Sequence, residues 1–104
     1  MTEQAKSYID EDGAKFWYLP SRGRIYYHRS DGPAIELEDG TKLWWVDDKL
    51  HRLDGPAVED VDGTKEWWIN GKELPTDEVE NWLEENNIDL TTEEGQMAFK
   101  LRWS

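Results

Sequence analysis

The stretch from His28 to Glu73 consists of two consecutive copies of one 23-residue unit. The first copy reads HRSDGPAIELEDGTKLWWVDDKL, from His28 to Leu50, and the second reads HRLDGPAVEDVDGTKEWWINGKE, from His51 to Glu73. The copies align without a gap and are identical at 14 of 23 positions. A tandem repeat of this kind indicates a supersecondary unit that buries its apolar face by stacking on its neighbours.

Each copy is predicted to form a β-hairpin. Asp39-Gly40 and Asp62-Gly63 lie between two strand-like runs, and Asp-Gly is a strong signal for a tight turn with positive φ. The expected strands are Ala34–Glu38, Thr41–Val46, Ala57–Val61 and Thr64–Ile69. Asp47-Asp48 and Asn70-Gly71 are then expected to turn the chain again, and Asn-Gly is the better turn former of the two.

A degenerate first copy precedes the two complete ones. The run DGAKFWY, residues 12–18, resembles DGTKLWW and DGTKEWW in the complete copies. Together the copies predict an antiparallel meander of about six strands. Residues 1–11 are polar and are expected to form a frayed end, from which Tyr8 and Ile9 could dock on the sheet.

After Pro75 the pattern changes to that of helices. Thr76 precedes DEVENWLEENN, whose acidic first turn is typical of a helix start. Thr91 and Glu94 fit a capping box for a second helix that ends near Arg102. Its expected buried side comprises Met97, Ala98 and Leu101. The sequence therefore predicts a mainly β (α+β) fold in one domain, residues 1–104, with hairpin repeats over 12–74 and one or two helices over 75–104.

The doubled tryptophans must point to opposite faces of the sheet, because neighbouring residues in a strand alternate. The set that shares a face with Val46 and Ile69 is predicted to enter the core: Trp17, Trp44 and Trp67. The set on the other face is Tyr18, Trp45 and Trp68. This second stripe is either covered by loops and the N-terminal arm, or exposed as a binding surface.

The chain is strongly acidic, with 24 acidic and 12 basic residues and a net charge of −12. This charge opposes binding to nucleic acid or to an anionic membrane and suits either simple solubility or a basic partner. Six carboxylates fall on or beside the first strand of each hairpin: Glu36, Glu38, Asp39, Glu59, Asp60 and Asp62. They form either an ordinary solvated face or a row that imitates a phosphate backbone.

The sequence contains no pattern typical of an enzyme. The absence of cysteine excludes disulfides, thiolate metal sites and cysteine nucleophiles. His28 and His51 recur at the same repeat position, which favours a structural role for His-Arg-x-Asp-Gly-Pro over a metal site. We therefore expect no catalytic residues, no metal and no cofactor. Without a secretory signal or a long apolar run, the expected location is the cytoplasm.

The motifs HRSDGPAIELEDGTKLWW and HRLDGPAVEDVDGTKEWWINGKELP resemble the HRxDGPA-type repeats of phage and large-virus proteins, and their rhythm is similar to that of MORN repeats. The resemblance covers about residues 12–87. The first copy departs from it by an inserted loop, residues 19–24, and Asp47-Asp48 replaces the usual Asn-Gly. The resemblance implies a binding or accessory protein, and no catalytic residue carries over from it.

These observations lead to a function hypothesis and two alternatives. The leading hypothesis is a phage-encoded inhibitor that binds a bacterial host protein, such as a defence nuclease or another nucleic-acid-binding factor. The expected contact residues are the stripe Tyr18, Trp45 and Trp68 together with the six strand carboxylates. The alternatives are a virion assembly module that self-associates through the stripe, and a carbohydrate-binding module that stacks sugars on tryptophan.

Overall fold

The computed structural model describes residues 5–104, so the frayed end expected at the N-terminus lies partly outside the described residues. The described chain is an antiparallel β-structure followed by two helices, which confirms the predicted α+β class. The strands are shorter and more numerous than expected. The elements are β1 Lys6–Ile9, β2 Lys15–Ser21, β3 Arg24–Tyr27, β4 Ile35–Glu36, β5 Lys42–Leu43, β6 Trp45–Val46, β7 Lys49–Leu50, β8 Val58–Glu59, β9 Lys65–Ile69, β10 Lys72–Leu74, α1 Thr76–Glu85 and α2 Glu93–Trp103.

The main sheet has the strand order β1-β2-β4-β5-β8-β9-β10, and β3 also pairs with β2. All of these pairs are antiparallel. β6 and β7 form a separate two-stranded ribbon. The docking of Tyr8 and Ile9 on the sheet is confirmed, because both lie in β1, which pairs with β2.

Hydrogen bonds between successive copies recur with the period of the repeat: the N–H of Asp48 donates to the carbonyl of Tyr27 at 2.8 Å, and that of Gly71 donates to the carbonyl of Leu50 at 2.9 Å. Bonds within each copy recur with the same period. The N–H of Arg29 donates to the carbonyl of Trp45 at 3.0 Å, and that of Arg52 donates to the carbonyl of Trp68 at 3.2 Å. Both partners shift by 23 residues from one copy to the next. Each His-Arg segment is therefore fastened to the second strand of its own copy.

The turns after the doubled tryptophans have the backbone that Asn-Gly favours. Asn70 and Gly71 have φ of 49° and 80°, and the aspartates at 47 and 48 have φ of 50° and 66°. Two successive positive φ angles are the signature of the hairpin turn that matches strand twist. The carboxylate of Asp48 accepts from the N–H of Tyr27 at 3.1 Å, which offsets part of the backbone strain in this copy.

The core lies at the C-terminal end of the sheet, where both helices pack on the last copy. Its buried members are Trp67, Ile69, Leu74, Val79, Phe99 and Trp103. The core prediction is confirmed for Trp67 and Ile69. It is wrong for Trp17, Trp44 and Val46, which are half-buried. The reason is that Phe99 of α2 packs on Trp67, with ring centroids 5.6 Å apart, whereas the equivalent rings of the earlier copies are covered by arginine.

The buried side of α2 differs from the predicted one. Met97 and Leu101 are exposed, with 56% and 76% of their surface accessible, while Phe99 and Trp103 are buried. Both pairs have the spacing of four that places residues on one side of a helix. The aromatic pair removes more apolar surface from water, so it takes the inner side.

The N-cap of α2 is Thr92 rather than Thr91. Its hydroxyl accepts from the N–H of Gly95 at 3.0 Å. Gly95 is required here because a Cβ would lie 1.9 Å from the carbonyl oxygen of Asp89. The glycine that weakens the helix by propensity therefore allows its first turn to approach the preceding loop.

Candidate functional site

Arg52 is held by four groups at once. Its Cζ lies 3.8 Å from the centroid of the Trp44 ring. Its Nε donates to Asp54 Oδ1 at 2.7 Å, and its Nη1 donates to the carbonyl of Pro56 at 3.0 Å and to Glu59 Oε2 at 2.7 Å. This planar, multiply bonded geometry is one that only a guanidinium can satisfy.

The first complete copy repeats this arrangement. Arg29 stacks at 3.9 Å on Trp17 and donates to Asp31 Oδ1 and to the carbonyl of Pro33, each at 3.1 Å. A Cβ at the loop glycine would lie 2.9 Å from Cζ of the arginine in this copy and 2.7 Å in the next. The Arg, Asp, Gly and Pro of the motif therefore build one small structural unit, as the sequence predicted.

His28 and His51 each fasten the start of a copy to the turn near the end of the same copy. Nδ1 of His28 accepts from the N–H of Asp47, and Nδ1 of His51 accepts from the N–H of Asn70, both at 3.0 Å. Burial, with a smaller contribution from the positive charge of Lys100, lowers the pKa of His51 below its ordinary value. Within residues 5–104, no group of three or more His, Cys, Asp or Glu side chains is arranged to hold a metal ion.

A cleft of about 610 Å³ lies between the two HRxDGP loops. It is lined by both arginines, both loop aspartates, Trp44, Val46, His51, Leu53 and Gln96, among others. The guanidinium groups already donate to carboxylates and carbonyls of the loops. Most of the polar groups of the cleft are thus committed to the fold, and we assign it no ligand.

The strand carboxylates alternate with lysines across the sheet. The cross-strand register places Lys15 opposite Glu36, Glu36 opposite Lys42, Lys42 opposite Glu59, and Glu59 opposite Lys65. Directly opposed residues share a face, and opposite charges there stabilise the pairing. Glu36 and Glu59 therefore belong to a row of mixed charge, which is unlike the uniform charge of a phosphate backbone.

Three of the other predicted carboxylates serve the hairpin turns. Asp39 Oδ1 accepts from the N–H of Thr41, and Asp62 Oδ1 accepts from that of Thr64, both at 2.9 Å. These N–H groups lower the pKa of both carboxyls. Asp60 Oδ1 accepts from the hydroxyl of Thr41 at 3.2 Å and so joins the two turns. These aspartates remain exposed at the ends of the hairpins.

Glu38 is exposed and lies beside a shallow acidic cleft of about 580 Å³. Asp10, Asp12 and Asp39 line the same cleft, together with Phe16 and Leu37. These carboxylates fall within the part of the chain where no metal cluster occurs. The cleft therefore adds to the negative surface of the molecule.

The predicted stripe Tyr18, Trp45 and Trp68 is half-buried along its whole length. Tyr18 packs against the tyrosine of β1 at 5.6 Å, and Trp45 packs against Tyr27 at 5.8 Å between ring centroids. Nε1 of Trp68 donates to Glu66 Oε1 at 3.0 Å, whereas the buried Nε1 of Trp45 has no partner among the described residues. The sheet side chains thus cover part of each ring and leave part accessible, and the role of the stripe as a contact surface stays a prediction.

The helical segment holds the largest excess of negative charge. Residues 75–104 carry eight acidic and two basic side chains, and so contribute −6 of the net −12. The carboxylates of α1 are all exposed: Asp77, Glu78, Glu80, Glu84 and Glu85. The ion pairs found among residues 5–104 all lie in the hairpins. None of them brings a basic side chain within 4.0 Å of an α1 carboxylate. We call this surface the acidic cap.

The sequence analysis used the acidic residues of this segment only as a sign of a helix start. It did not predict the acidic cap as a contact surface, although the net charge counted over residues 75–104 indicates it.

A comparison with protein-family models, curated proteins and solved structures finds no match for this chain. Among the described residues, no helix is both long enough and apolar enough to cross a membrane. The geometry of the chain itself is therefore the basis for the functional argument.

Proposed function

We propose that this protein is a stoichiometric, non-catalytic binding protein whose acidic cap holds a basic surface of another protein. The observation that carries the proposal is the set of exposed α1 carboxylates without a cationic neighbour in the described chain. Unpaired charge of one sign on a rigid element attracts an oppositely charged partner and speeds association. Charge that is already paired, as in the strand row, contributes less.

The class of partner follows from the charge and from the repeat resemblance. A surface that binds nucleic acid is basic and is the natural complement of an acidic protein. The resemblance to phage repeats suggests that this surface belongs to a bacterial host protein, such as a defence nuclease or another nucleic-acid-binding factor. By occupying that surface, the protein would inhibit its partner without chemistry of its own.

The first test is an affinity capture from bacterial lysate at low and high salt, read by mass spectrometry. We expect one basic protein to be retained at low salt and released at high salt, because salt screens exposed charges. Recovery of no host protein, or of a partner whose retention is independent of salt, would contradict the proposal.

A pair of variants then distinguishes the acidic cap from the strand carboxylates. Glu84→Lys with Glu85→Lys and Glu36→Lys with Glu59→Lys change the net charge equally. We expect the cap variant to release the partner at lower salt and the strand variant to retain it, provided that circular dichroism shows both to be folded. If the strand variant instead loses the partner and the cap variant retains it, the strand carboxylates form the contact, as the sequence analysis predicted.

One observation favours a second candidate, an assembly module that self-associates. Met97 and Leu101 form an exposed apolar pair on the outer side of α2, and apolar groups left in water often mark contact surfaces. In this case the molecular mass in solution would rise with concentration, and Leu101→Glu would abolish that rise. A constant monomer mass over a wide concentration range would exclude it.

A further inference from the structure

A groove of about 320 Å³ lies between α1 and the end of α2. Its lining residues are Glu78, Asn81, Trp82, Glu85, Arg102 and Trp103. The four from α1 have helical spacings of three and four, which place them on one side of the helix. The groove is therefore a feature of two rigid elements rather than of a loop.

Two tryptophans form a perpendicular corner in this groove. The ring centroids of Trp82 and Trp103 are 6.3 Å apart, and the ring planes meet at 86°. Trp103 belongs to the buried core, and Trp82 packs against it. The corner is therefore preformed, and its shape does not depend on a partner.

A cation of the chain itself already occupies the Trp103 side of this corner, which leaves the Trp82 ring to receive a second one. Cζ of Arg102 lies 4.2 Å from the centroid of the Trp103 ring, within the range of a cation–π contact. Trp82 is half-buried, so part of its surface is accessible beside this arrangement. Tryptophan offers cations the most favourable aromatic face.

Two carboxylates flank the corner. Glu78 and Glu85 are exposed and lie about 10 Å apart along α1, on either side of Trp82. No described basic side chain, Arg102 included, comes within 4.0 Å of either carboxylate. Aromatic rings between unpaired carboxylates are the chemistry that recognises an ammonium or guanidinium group.

We infer that this groove seats a lysine or arginine side chain of a basic partner, an inference that rests on the proposed function and gives it a specific site. The groove is at the small end of the ~300–1,000 Å³ range of ligand pockets. It therefore fits one long cationic side chain rather than a secondary-structure element. The remaining carboxylates of the acidic cap would attract the partner as it approaches. The groove would determine the position in which the partner is bound.

The probe for this test is a seven-residue arginine peptide, with a seven-residue glutamine peptide as its neutral counterpart. The indole N–H signals of the seven tryptophans report separately in a nitrogen–proton correlation spectrum. We expect the arginine peptide to shift the signals of Trp82 and Trp103 and to leave those of Trp17 and Trp44 in place. The glutamine peptide should shift none of them.

Two double variants with the same net charge separate the groove from the bulk charge. Glu78→Gln with Glu85→Gln removes the flanking carboxylates, and Glu84→Gln with Glu94→Gln removes two exposed carboxylates that do not line the groove. All four changes keep the shape of the side chain, so folding should be preserved. We expect about tenfold weaker peptide binding for the first variant and less than a twofold change for the second.

The outcomes distinguish the two proposals. Equal weakening by both variants, or peptide-induced shifts elsewhere in the chain, would overturn the groove while leaving the acidic cap as a binding surface. No binding of the arginine peptide to the unmodified protein at low salt would overturn both. Trp82→Phe supplies an independent check, since it keeps an apolar ring but should weaken peptide binding severalfold.

Discussion

At the scale of single residues, the repeat motif is explained by what each side chain contacts. Arg52 shows this best, because it combines a tryptophan ring with three acceptors while only 17% of its side chain is exposed. Its replacement by lysine keeps the charge but loses the planar fork. The contacts of the motif therefore stabilise the fold.

We predict that Arg52→Lys lowers the free energy of unfolding by about 2 kcal/mol, since at least one part-buried charged hydrogen bond and the ring stacking are lost. Urea unfolding followed by tryptophan fluorescence measures this. Arg24→Lys is the matched control, because 61% of the Arg24 side chain is exposed and surface pairs contribute less than about 1 kcal/mol. Equal effects of the two substitutions would refute the structural role of Arg52.

A second prediction at this scale concerns pH and His51. Its pKa is lowered in the folded protein, chiefly by burial and then by Lys100, so the unfolded chain takes up a proton more readily. The stability contributed by neutral His51 is complete above the ordinary pKa of about 6.5 and is lost as the pH falls through the lowered value. We expect the unfolding free energy to fall less between pH 7.5 and pH 5 in His51→Gln than in the unmodified protein. Identical slopes would show that His51 does not titrate in this way.

At the scale of elements, the hairpin turns could be predicted from the sequence, because Asp-Gly and Asn-Gly favour the local backbone geometry of such turns. The buried side of α2 could not be predicted from the sequence. Met97 with Leu101 and Phe99 with Trp103 have the same helical spacing, so periodicity does not choose between them. The buried side is determined by a contact with Trp67, which packs against Phe99 although the two residues are 32 positions apart in the sequence. The two helices are nonetheless placed where the sequence predicted them, with ends shifted by a residue or two.

The start of α2 gives a prediction that opposes helix propensity. Alanine usually stabilises a helix relative to glycine by about 1 kcal/mol. At Gly95 a Cβ would lie 1.9 Å from the carbonyl oxygen of Asp89, so the backbone must shift. We expect Gly95→Ala to destabilise the protein by about 2 kcal/mol in urea unfolding. Met97→Ala, at an exposed position of the same helix, should change stability by less than about 0.5 kcal/mol, and a stabilising Gly95→Ala would contradict the close contact.

At the scale of the whole molecule, the sequence predicts the sheet well and the surface poorly. The repeat determines which residues pair, so a strand-by-strand meander follows from it. The distribution of charge depends on register, which places Glu36 between Lys15 and Lys42 and so neutralises a row that looks acidic along the chain. The groove at Trp82 and Trp103 forms only where two helices pack together, and no local sequence pattern predicts that contact.

The repeat itself yields the last prediction. Because the contacts between copies recur every 23 residues, a chain lacking residues 28–50 brings His51 directly after Tyr27 with every contact in register. Arg52 would then stack on Trp17 in place of Arg29, and β8 would pair with β2 in place of β4. We expect cooperative unfolding at a lower urea concentration. The slope of the unfolding free energy against urea concentration should be smaller by roughly a fifth, in proportion to the surface removed.

A chain lacking residues 28–39 is the control. It loses about half a period, which breaks the register between strands, and it should not fold cooperatively. If the longer deletion also fails to fold, the copies are not interchangeable units and the two ends of the sheet depend on the particular residues between them.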